Sequence, residues 1–179
     1  AAKFQTYKAE KLASKNSKAY WDLKKEKTKS QYELFSKFDK FTKKDYKKLF
    51  YYCKKVKIDF LSTPFDLEAV DFLNNLVPLF KISSSDITNY PLLKKISKKN
   101  KPIILSTGAS NLDEIKTAVK ILRSNKNNKI VLMHCILNYP TKNGDANLSM
   151  IENLKKEFPH LIIGYSDHTL PDANMSILS

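Results

Sequence analysis

The clearest fold signal in the chain is the segment LFKISSSDITNYPLLKKISKKNKPIILSTGASNLDEIKTAVKILRS, residues 79–124. It contains two short apolar runs, at 79–83 and 102–107, and an amphipathic segment with apolar residues at helical spacing follows each run. Short continuous apolar runs are typical of parallel strands that are buried on both faces. Asn111 or Ser110 is placed to cap the second helix. The segment therefore predicts two consecutive strand–helix units of a parallel α/β fold.

The same alternation continues on both sides of this segment. Amphipathic patterns at 49–56 and 148–158 predict further helices. Further strand candidates are AAKFQTY at 1–7, IDFLST at 58–63, KIVLMHC at 129–135 and LIIGYS at 161–166. A complete (β/α)8 barrel takes roughly 250 residues, so six strand–helix units need roughly 190. The sequence therefore predicts an incomplete (β/α)8 TIM barrel. A doubly wound sheet is the structural alternative, but the three glycines form no GxGxxG turn.

The composition narrows the class of protein. Hydrophobic residues make up 42% of the 179 residues, which is enough for a packed core. No apolar run reaches the length of about 18 residues that a membrane span needs. Two cysteines, Cys53 and Cys135, cannot form a disulfide framework, so we expect a reduced, cytoplasmic setting. The chain begins with Ala rather than Met and ends within an apolar segment, so we expect a fragment of a longer protein.

The formal net charge of +14 raises the alternative of a basic nucleic-acid-binding domain. Such a domain would show a basic patch with regularly spaced aromatic residues or a known motif, and the sequence shows neither. Of the 32 basic residues, Arg123 is the sole arginine. Surfaces that bind phosphates or bases tend to recruit arginine. We therefore expect no nucleic-acid partner and a lysine-rich, solvated helical exterior.

Residues 8–45 interrupt the regular strand–helix period. This stretch is lysine-rich and polar, with aromatic residues scattered through it. An insertion after a barrel strand lies on the face where substrates bind. The alternative is a solvated excursion with one helix near 29–38. We interpret residues 1–179 as one partial TIM-barrel domain with this insertion after its first strand.

Hydroxyl side chains follow five of the six predicted strands. They are Thr6, Ser62, Thr63, Ser83, Ser84, Ser85, Ser106, Thr107 and Ser166. Because the carboxyl ends of barrel strands meet at one face, we expect these hydroxyls to gather there. Hydroxyls and the N–H groups of following helices suit a phosphate, although Ser and Thr also begin loops and cap helices. The pattern favours an oxyanion site.

Two lysines lie inside otherwise apolar strands. Lys3 is within AAKFQ and Lys81 is within LFKIS. Burying an unpaired ammonium costs several kcal/mol, so such a lysine needs an anionic partner or ligand. Gln5 follows Lys3 by two positions and projects from the same strand face. A lysine that extends to solvent from an edge strand is the alternative.

The segment GYSDHT at 164–169 carries polar groups out of the last predicted strand. Members of a Ser-His-Asp triad come from separate loops, so this tripeptide does not predict one. His168 is a plausible metal ligand, but a single histidine cannot hold a metal. We expect His134 to be buried at the end of its strand and His160 to lie in a surface loop.

Six motifs together resemble one known family. In chain order they are AAKFQTYKAE, FLSTPFDLEAVDFL, FKISSSDITNYPLL, KPIILSTGAS, LMHCILNYPT and IIGYSDHTL. They look like the successive strand–loop motifs of the bacterial sialic acid synthases, which include N-acetylneuraminate synthase and its legionaminate and pseudaminate relatives. The match covers nearly the whole chain, and residues 8–45 are least alike. Because several motifs are long and occur in order, their combination is highly specific.

The resemblance implies a barrel enzyme that condenses phosphoenolpyruvate with an N-acetylated amino sugar such as N-acetylmannosamine. The product would be a nine-carbon 2-keto sugar acid of the sialic acid type, with release of phosphate. Such an N-acetylneuraminate synthase-like transferase uses a divalent metal, Mn²⁺ or Mg²⁺. Another phosphate-handling TIM barrel such as a Schiff-base aldolase is the alternative, and a legionaminate or spore-coat role remains open.

The resemblance also implies what this chain lacks. The six strands correspond to the second to the seventh of the family's barrel, so the first and last strands would be absent. A C-terminal antifreeze-like domain would be absent as well. We therefore expect the parent protein, a homodimer, to be active and the 179-residue piece alone to be inactive.

Site residues follow from their places in the matched motifs. Phosphoenolpyruvate would be held by Lys81, Ser84, Ser106 and Ser166, with Lys3 and Thr63 contributing. The sugar would face Gln5, Tyr139 and, in the loosely matched loop, Asn16. His168 would be one of two metal-ligating histidines. Asp86 stands where the family more often has Glu, a position proposed to move a proton, so Asp86 and Lys81 are the candidate catalytic residues.

Overall fold

The computed structural model of the chain describes residues 1–171 and 174–179. Its strands are β1 (Ala2–Thr6), β2 (Phe60–Pro64), β3 (Phe80–Ile82), β4 (Ile103–Ser106), β5 (Ile130–His134) and β6 (Ile162–Tyr165). Its helices are α1 (Ala9–Leu12), α2 (Gln31–Phe38), α3 (Lys43–Lys55), α4 (Leu67–Leu73), α5 (Tyr90–Ser97), α6 (Leu112–Arg123), α7 (Ser149–Glu157) and α8 (Met175–Leu178). Two 3-10 turns span Ser84–Asp86 and Asn143–Asp145. The chain divides into two compact units, Ala1–Pro78 and Leu79–Ser179.

The first unit contains a parallel two-stranded sheet, β1–β2. Its register pairs Lys3 with Leu61 and Gln5 with Thr63. Side chains alternate between the faces of a strand, so these four residues share one face. The opposite face carries Phe4 and Phe60, whose stacked rings lie 5.4 Å apart. Helices α3 and α4 supply further buried side chains, namely Tyr46, Cys53, Ala69, Val70 and Leu73.

The segment 8–45 of this unit contains more structure than the one helix expected near 29–38. That helix is confirmed as α2, and the Ser30 hydroxyl caps it by accepting the N–H of Glu33 at 3.0 Å. The short helix α1 precedes it, and α3 begins at the end of the segment. Between α1 and α2, an antiparallel bridge joins Lys18 to Ser30. Short-range hydrogen bonds therefore organise this polar stretch.

The second unit contains a parallel sheet with strand order β3-β4-β5-β6. Each strand pairs with the next strand along the chain, as in a (β/α)8 barrel, whereas a doubly wound sheet reverses its strand order at a switch point. One face of the sheet packs against the helices and forms an apolar core with them. Fully buried members of this core are Phe80, Ile82, Leu92, Leu93, Ile96, Ile103, Leu105, Leu122, Leu132 and Leu154. Apolar burial of this kind is the main stabilising contribution to such a fold.

The other face of the second sheet carries the polar residues Lys81 and Ser106. The register places Ser106, Met133 and Gly164 in one row across β4, β5 and β6. Lys81 pairs with Ile104, two positions before Ser106, so Lys81 and Ser106 project from the same face. A Cβ on Gly164 would lie 2.7 Å from the Met133 sulfur. Gly164 therefore leaves the space that the Met133 side chain fills.

All six predicted strands are present, and so are the helices predicted at 49–56 and 148–158 and the two predicted within 79–124. Helix α3 begins at Lys43, well before the predicted start at residue 49. Asn111 caps α6 in a full capping box with Glu114, which resolves the choice between Asn111 and Ser110. Helix α4, which Asp66 caps, was not predicted. Its apolar residues occupy most positions of a short segment, so no helical period stands out.

Three simpler expectations have clear outcomes. Both cysteines are free, in agreement with the expectation that they form no disulfide framework, and both are buried. His134 is buried, and His160 lies exposed in a turn, as expected. Among residues 1–171 and 174–179, every helix is too short or too polar to cross a bilayer.

Candidate functional site

In the second unit, Lys81 and Ser106 are in contact on the sheet face opposite the apolar core. The Lys81 ammonium donates one hydrogen bond to Ser106 Oγ and a second to the Ile82 carbonyl, 3.1 Å away. Lys81 is half-buried and Ser106 is buried. An ammonium held beside a buried hydroxyl at the carboxyl end of a parallel sheet is a favourable place for an anionic group.

The 3-10 turn Ser84–Asp86 follows β3 directly. Ser84 is buried, and Asp86 is 9% exposed. Asp86 Oδ1 accepts a hydrogen bond from Asn89 Nδ2 at 3.0 Å, whereas Oδ2 is buried without a hydrogen-bond partner in the described part of the chain. Burial raises the pKa of Asp86 above its ordinary value, and the nearby polar side chains of Asn89 and Ser85 oppose that rise. The turn therefore carries a desolvated carboxyl group with one oxygen unpaired.

The loop after β4 approaches the next strand closely. The N–H and the hydroxyl of Thr107 both donate to the Met133 carbonyl, at 3.0 and 3.1 Å. A Cβ on Gly108 would lie 2.9 Å from Cys135 Sγ and 3.1 Å from the Cys135 carbonyl oxygen. Only glycine fits this approach without displacing backbone. The loop is thus pinned to the end of β5.

His168 is oriented by the backbone of the preceding loop. Its Nδ1 donates to the Ile136 carbonyl at 2.5 Å, since a carbonyl can only accept. In the neutral imidazole, Nε2 then carries the lone pair, and it lies 3.4 Å from Ser166 Oγ. A histidine whose Nδ1 is bound to a carbonyl and whose Nε2 is unprotonated has the arrangement found in metal ligands.

Further contacts tie the β5 loop to His168. The Thr141 N–H donates to the His168 carbonyl at 2.8 Å. The Tyr139 ring lies 4.2 Å from the imidazole, centroid to centroid, with an interplanar angle of 31°. Tyr139 is 74% exposed, so one face of its ring covers His168 and the rest is open to solvent. Asp167 fixes the other side of the turn by accepting the N–H and the hydroxyl of Thr169, both at 2.8 Å.

The first unit carries the remaining candidate residues on one face of its sheet. Lys3 and Gln5 are exposed, and Thr63 is buried. The expectation that Lys3 would be buried is therefore wrong. Strand alternation predicts that Lys3 and Gln5 project from the same sheet face. It does not predict whether other residues cover that face. A cavity of about 380 Å³ lies along β1 and is lined by Lys3, Phe4, Gln5, Tyr7, Phe38, Asp39, Phe41 and Tyr46.

The expectation that the strand-end hydroxyls as a group form an oxyanion site is wrong for Thr6, Ser62 and Thr107, whose hydroxyls bond to other protein atoms. Thr6 and Ser62 lie on the sheet face opposite Gln5, both are buried, and their hydroxyls bond to each other at 2.7 Å. The Thr107 hydroxyl is committed to a main-chain carbonyl. The strand period of two sends neighbouring hydroxyls to opposite faces, which a count of strand-end hydroxyls does not take into account.

The structure brings several predicted residues of the second unit together. Lys81 contacts Ser106, His168 lies against Ser166 and Tyr139, and Ser84 shares a turn with Asp86. Asn16 lies exposed in a turn of the 8–45 segment. Sequence reasoning missed Asn89 and the Ile136 carbonyl. Asn89 did carry a signal, because Asn before Tyr-Pro is a helix N-cap pattern.

In the described part of the chain, His168 is the candidate ligand for a divalent metal. Among residues 1–171 and 174–179, no three His, Cys, Asp or Glu side chains lie close enough to hold a metal ion. The geometry of His168 nevertheless suits ligation through Nε2, because its Nδ1 is already committed to Ile136.

Comparison with known proteins places these features in a family. The NeuB family model matches residues 1–179. An N,N'-diacetyllegionaminic acid synthase of Campylobacter jejuni is 46% identical over 172 residues, which are 93% of this chain and 51% of that protein. An uncharacterised protein of Methanocaldococcus jannaschii is 46% identical over 171 residues, which are 95% of this chain and 47% of that protein. The chain thus spans about half the length of these curated relatives.

A solved structure agrees with the sequence comparison. The N-acetylneuraminic acid synthetase of Leptospira borgpetersenii, in complex with citrate, matches with a TM-score of 0.82 and 33% identity. The match covers 98% of this chain and 57% of that one. The fold class is therefore α/β of the TIM-barrel type, with the barrel incomplete, as predicted. With a family model matched from the first to the last residue, the chain belongs to the NeuB family.

Proposed function

We propose that a protein containing residues 1–179 condenses phosphoenolpyruvate with an N-acetylated amino sugar of the N-acetylmannosamine type. The products are a nine-carbon 2-keto sugar acid and phosphate, so the enzyme is an N-acetylneuraminate synthase-like transferase. Family membership supports this reaction class. The single observation that carries it is the Lys81–Ser106 contact at the carboxyl end of the sheet. A homodimer in the cytoplasm is part of the same proposal.

Lys81 and Ser106 bind the anionic end of phosphoenolpyruvate. The ammonium supplies charge and the hydroxyl supplies a directional donor, and both project from the same face. Donors that are already in place need little reorganisation when a charged substrate arrives. Ser84 and Ser166 extend this donor set from the ends of β3 and β6. From their positions in the matched motifs, Lys3 and Thr63 are also proposed as phosphoenolpyruvate ligands.

Asp86 moves a proton in the proposed reaction. As C3 of phosphoenolpyruvate attacks the sugar aldehyde, C2 becomes electron-poor and water adds there. The Asp86 carboxylate accepts one proton from this water and passes it to the phosphate, which leaves by cleavage of the C2–O bond. The second proton of the water leaves C2 as the ketone forms and ends on the former aldehyde oxygen, which becomes a hydroxyl group. A carboxylate whose pKa is raised by burial is a stronger base toward water than an ordinary carboxylate.

His168 supplies one ligand for Mn²⁺ or Mg²⁺. When bound, the metal would act as a Lewis acid toward the sugar aldehyde. The chain's own contribution is orientation: the Ile136 carbonyl holds the imidazole by Nδ1, and Tyr139 covers one ring face. From their positions in the matched motifs, Tyr139 and Gln5 are proposed to contact the sugar.

The proposal is tested with a protein of family length that contains residues 1–179. It is incubated with phosphoenolpyruvate, Mn²⁺ and a panel of N-acetylated amino sugars, while phosphate and 2-keto acid are measured together. We expect the two products in equal amounts and only when a sugar is present. Phosphate without 2-keto acid would contradict the proposal. The 179-residue chain alone is expected to give no turnover, since one histidine does not hold a metal.

A further inference from the structure

Asn89 uses both ends of its side-chain amide. Its Oδ1 accepts the Leu92 N–H at 3.3 Å and caps α5, while its Nδ2 donates to Asp86 Oδ1 at 3.0 Å. The Leu92 N–H can only donate, so the amide oxygen faces the helix and the NH₂ group faces the carboxylate. One side chain thus links the start of α5 to the direction of the Asp86 carboxyl group.

The backbone around Asp86 is also fixed. Its N–H donates to the Ser83 carbonyl at 3.0 Å, and its carbonyl accepts the Asn89 N–H at 3.0 Å. With the backbone fixed, the carboxyl group can change its direction only by rotation about the side-chain bonds of Asp86. The bond from Asn89 removes that freedom at Oδ1, and Oδ2 stays buried without a hydrogen-bond partner in the described residues.

We propose that Asn89 is a positioning residue for the condensation, which holds Asp86 by Oδ1 so that Oδ2 is the oxygen that exchanges the proton. This inference rests on the proposed function. Because the Asp86 side chain is short, the direction of its carboxyl group decides which neighbouring atoms that group can contact. A misplacement of about 1 Å at a reacting group can cost about a hundredfold in rate.

Two substitutions separate positioning from helix capping. Asn89→Ser keeps an oxygen that caps α5 but removes the donor to Asp86. Asn89→Ala removes both the cap and the donor. Asn111→Ser is the matched control, because it makes the same change at the cap of α6. A role in capping alone would let Asn89→Ser behave like the wild type.

The experiment uses a protein of family length that contains residues 1–179. For each variant, kcat and KM for phosphoenolpyruvate are measured with N-acetylmannosamine and Mn²⁺, and the titration of the Asp86 carboxyl carbon is followed by ¹³C NMR. We expect Asn89→Ser to lower kcat about tenfold with KM changed less than about twofold. The Asp86 carbon should titrate at higher pH in this variant, because the charged carboxylate has lost a donor. Asn111→Ser should leave both quantities unchanged, and Asn89→Ala should also lower the Tm.

The outcomes distinguish the inference from the function on which it rests. Active wild type together with unchanged kcat and unchanged Asp86 titration in Asn89→Ser would overturn the positioning role. No turnover by the wild type would overturn the proposed function and the catalytic part of the inference. In that case the carbon titration still decides whether Asn89 orients Asp86.

Discussion

The ammonium of Lys81, on β3, donates a hydrogen bond to the hydroxyl of Ser106, at the end of the neighbouring strand β4. In the strand register, Lys81 pairs with Ile104, which lies two positions before Ser106. Because side chains alternate along a strand, Lys81 and Ser106 project from the same sheet face. A cation and a hydroxyl donor are thereby placed together at the edge where parallel α/β proteins bind ligands. This contact is the centre of the proposed phosphoenolpyruvate site.

Lys81→Met should remove the charge while nearly keeping the length of the side chain. In a protein of family length, we expect kcat/KM for phosphoenolpyruvate to fall about a hundredfold or more, because a donor aimed at substrate charge is lost. Lys120→Met, on the exposed face of α6, is the control and should stay within about twofold. Equal activity of the two variants would contradict the site. Covalent trapping of Lys81 by borohydride in the presence of substrate would instead indicate a Schiff-base aldolase.

Asp86→Asn should change the pH dependence of stability. The folded-state pKa of Asp86 is raised, so its contribution is fully present below the unfolded-state pKa and is lost as pH rises through the folded-state pKa. The variant has no charge to desolvate, so it should be more stable than the wild type at alkaline pH, by about 1 kcal/mol. In acid the difference should shrink or change sign. Urea unfolding at several pH values measures this difference, and a gap that widens toward low pH would contradict the desolvated carboxylate.

His168→Gln should weaken Mn²⁺ binding. Because Nδ1 is committed to the Ile136 carbonyl, Nε2 is the ligating atom, and its loss should raise the Kd for Mn²⁺ at least about tenfold. Electron paramagnetic resonance of free Mn²⁺ gives the Kd without an activity assay. His160→Gln changes an exposed histidine and should leave the Kd unchanged. Parallel losses in both variants would indicate nonspecific binding.

Gly108→Ala tests the close approach of two loops. The added Cβ would meet Cys135 Sγ at 2.9 Å and the Cys135 carbonyl oxygen at 3.1 Å. A main-chain atom cannot move aside as a flexible side chain can, so we expect a loss of about 1–3 kcal/mol in the free energy of unfolding. Gly144→Ala, where a Cβ meets no atom within 4 Å, is the control and should change stability little. Similar stabilities for the two variants would contradict this packing.

Much of this fold follows from local patterns. The strands of the second unit were identifiable as continuous apolar runs, although β3, β4 and β5 alternate buried with half-buried residues and Ile162 of β6 is exposed. The Asn111 cap follows from a side chain that can accept the N–H of Glu114. Helix α4 escaped prediction because Ala69, Val70 and Leu73 are buried within only seven residues, which is too short for a clear period.

The candidate site was predictable only in part. Lys81 and Ser106 were identifiable because polar groups in or beside apolar strands need partners. The bond that fixes His168 could not be predicted, because its acceptor is the main-chain carbonyl of Ile136, which every residue type carries. The exposure of Lys3 depends on what covers its sheet face, and alternation in the sequence does not contain that information.

The most direct test of the central claim follows the oxygen that bridges C2 and phosphorus in phosphoenolpyruvate. A protein of family length containing residues 1–179 is given substrate labelled with ¹⁸O at this position, together with N-acetylmannosamine and Mn²⁺. Condensation with cleavage of the C2–O bond predicts that the label appears in phosphate and that an equal amount of unlabelled 2-keto sugar acid forms. Label retained on carbon, or labelled phosphate without the sugar acid, would contradict the account.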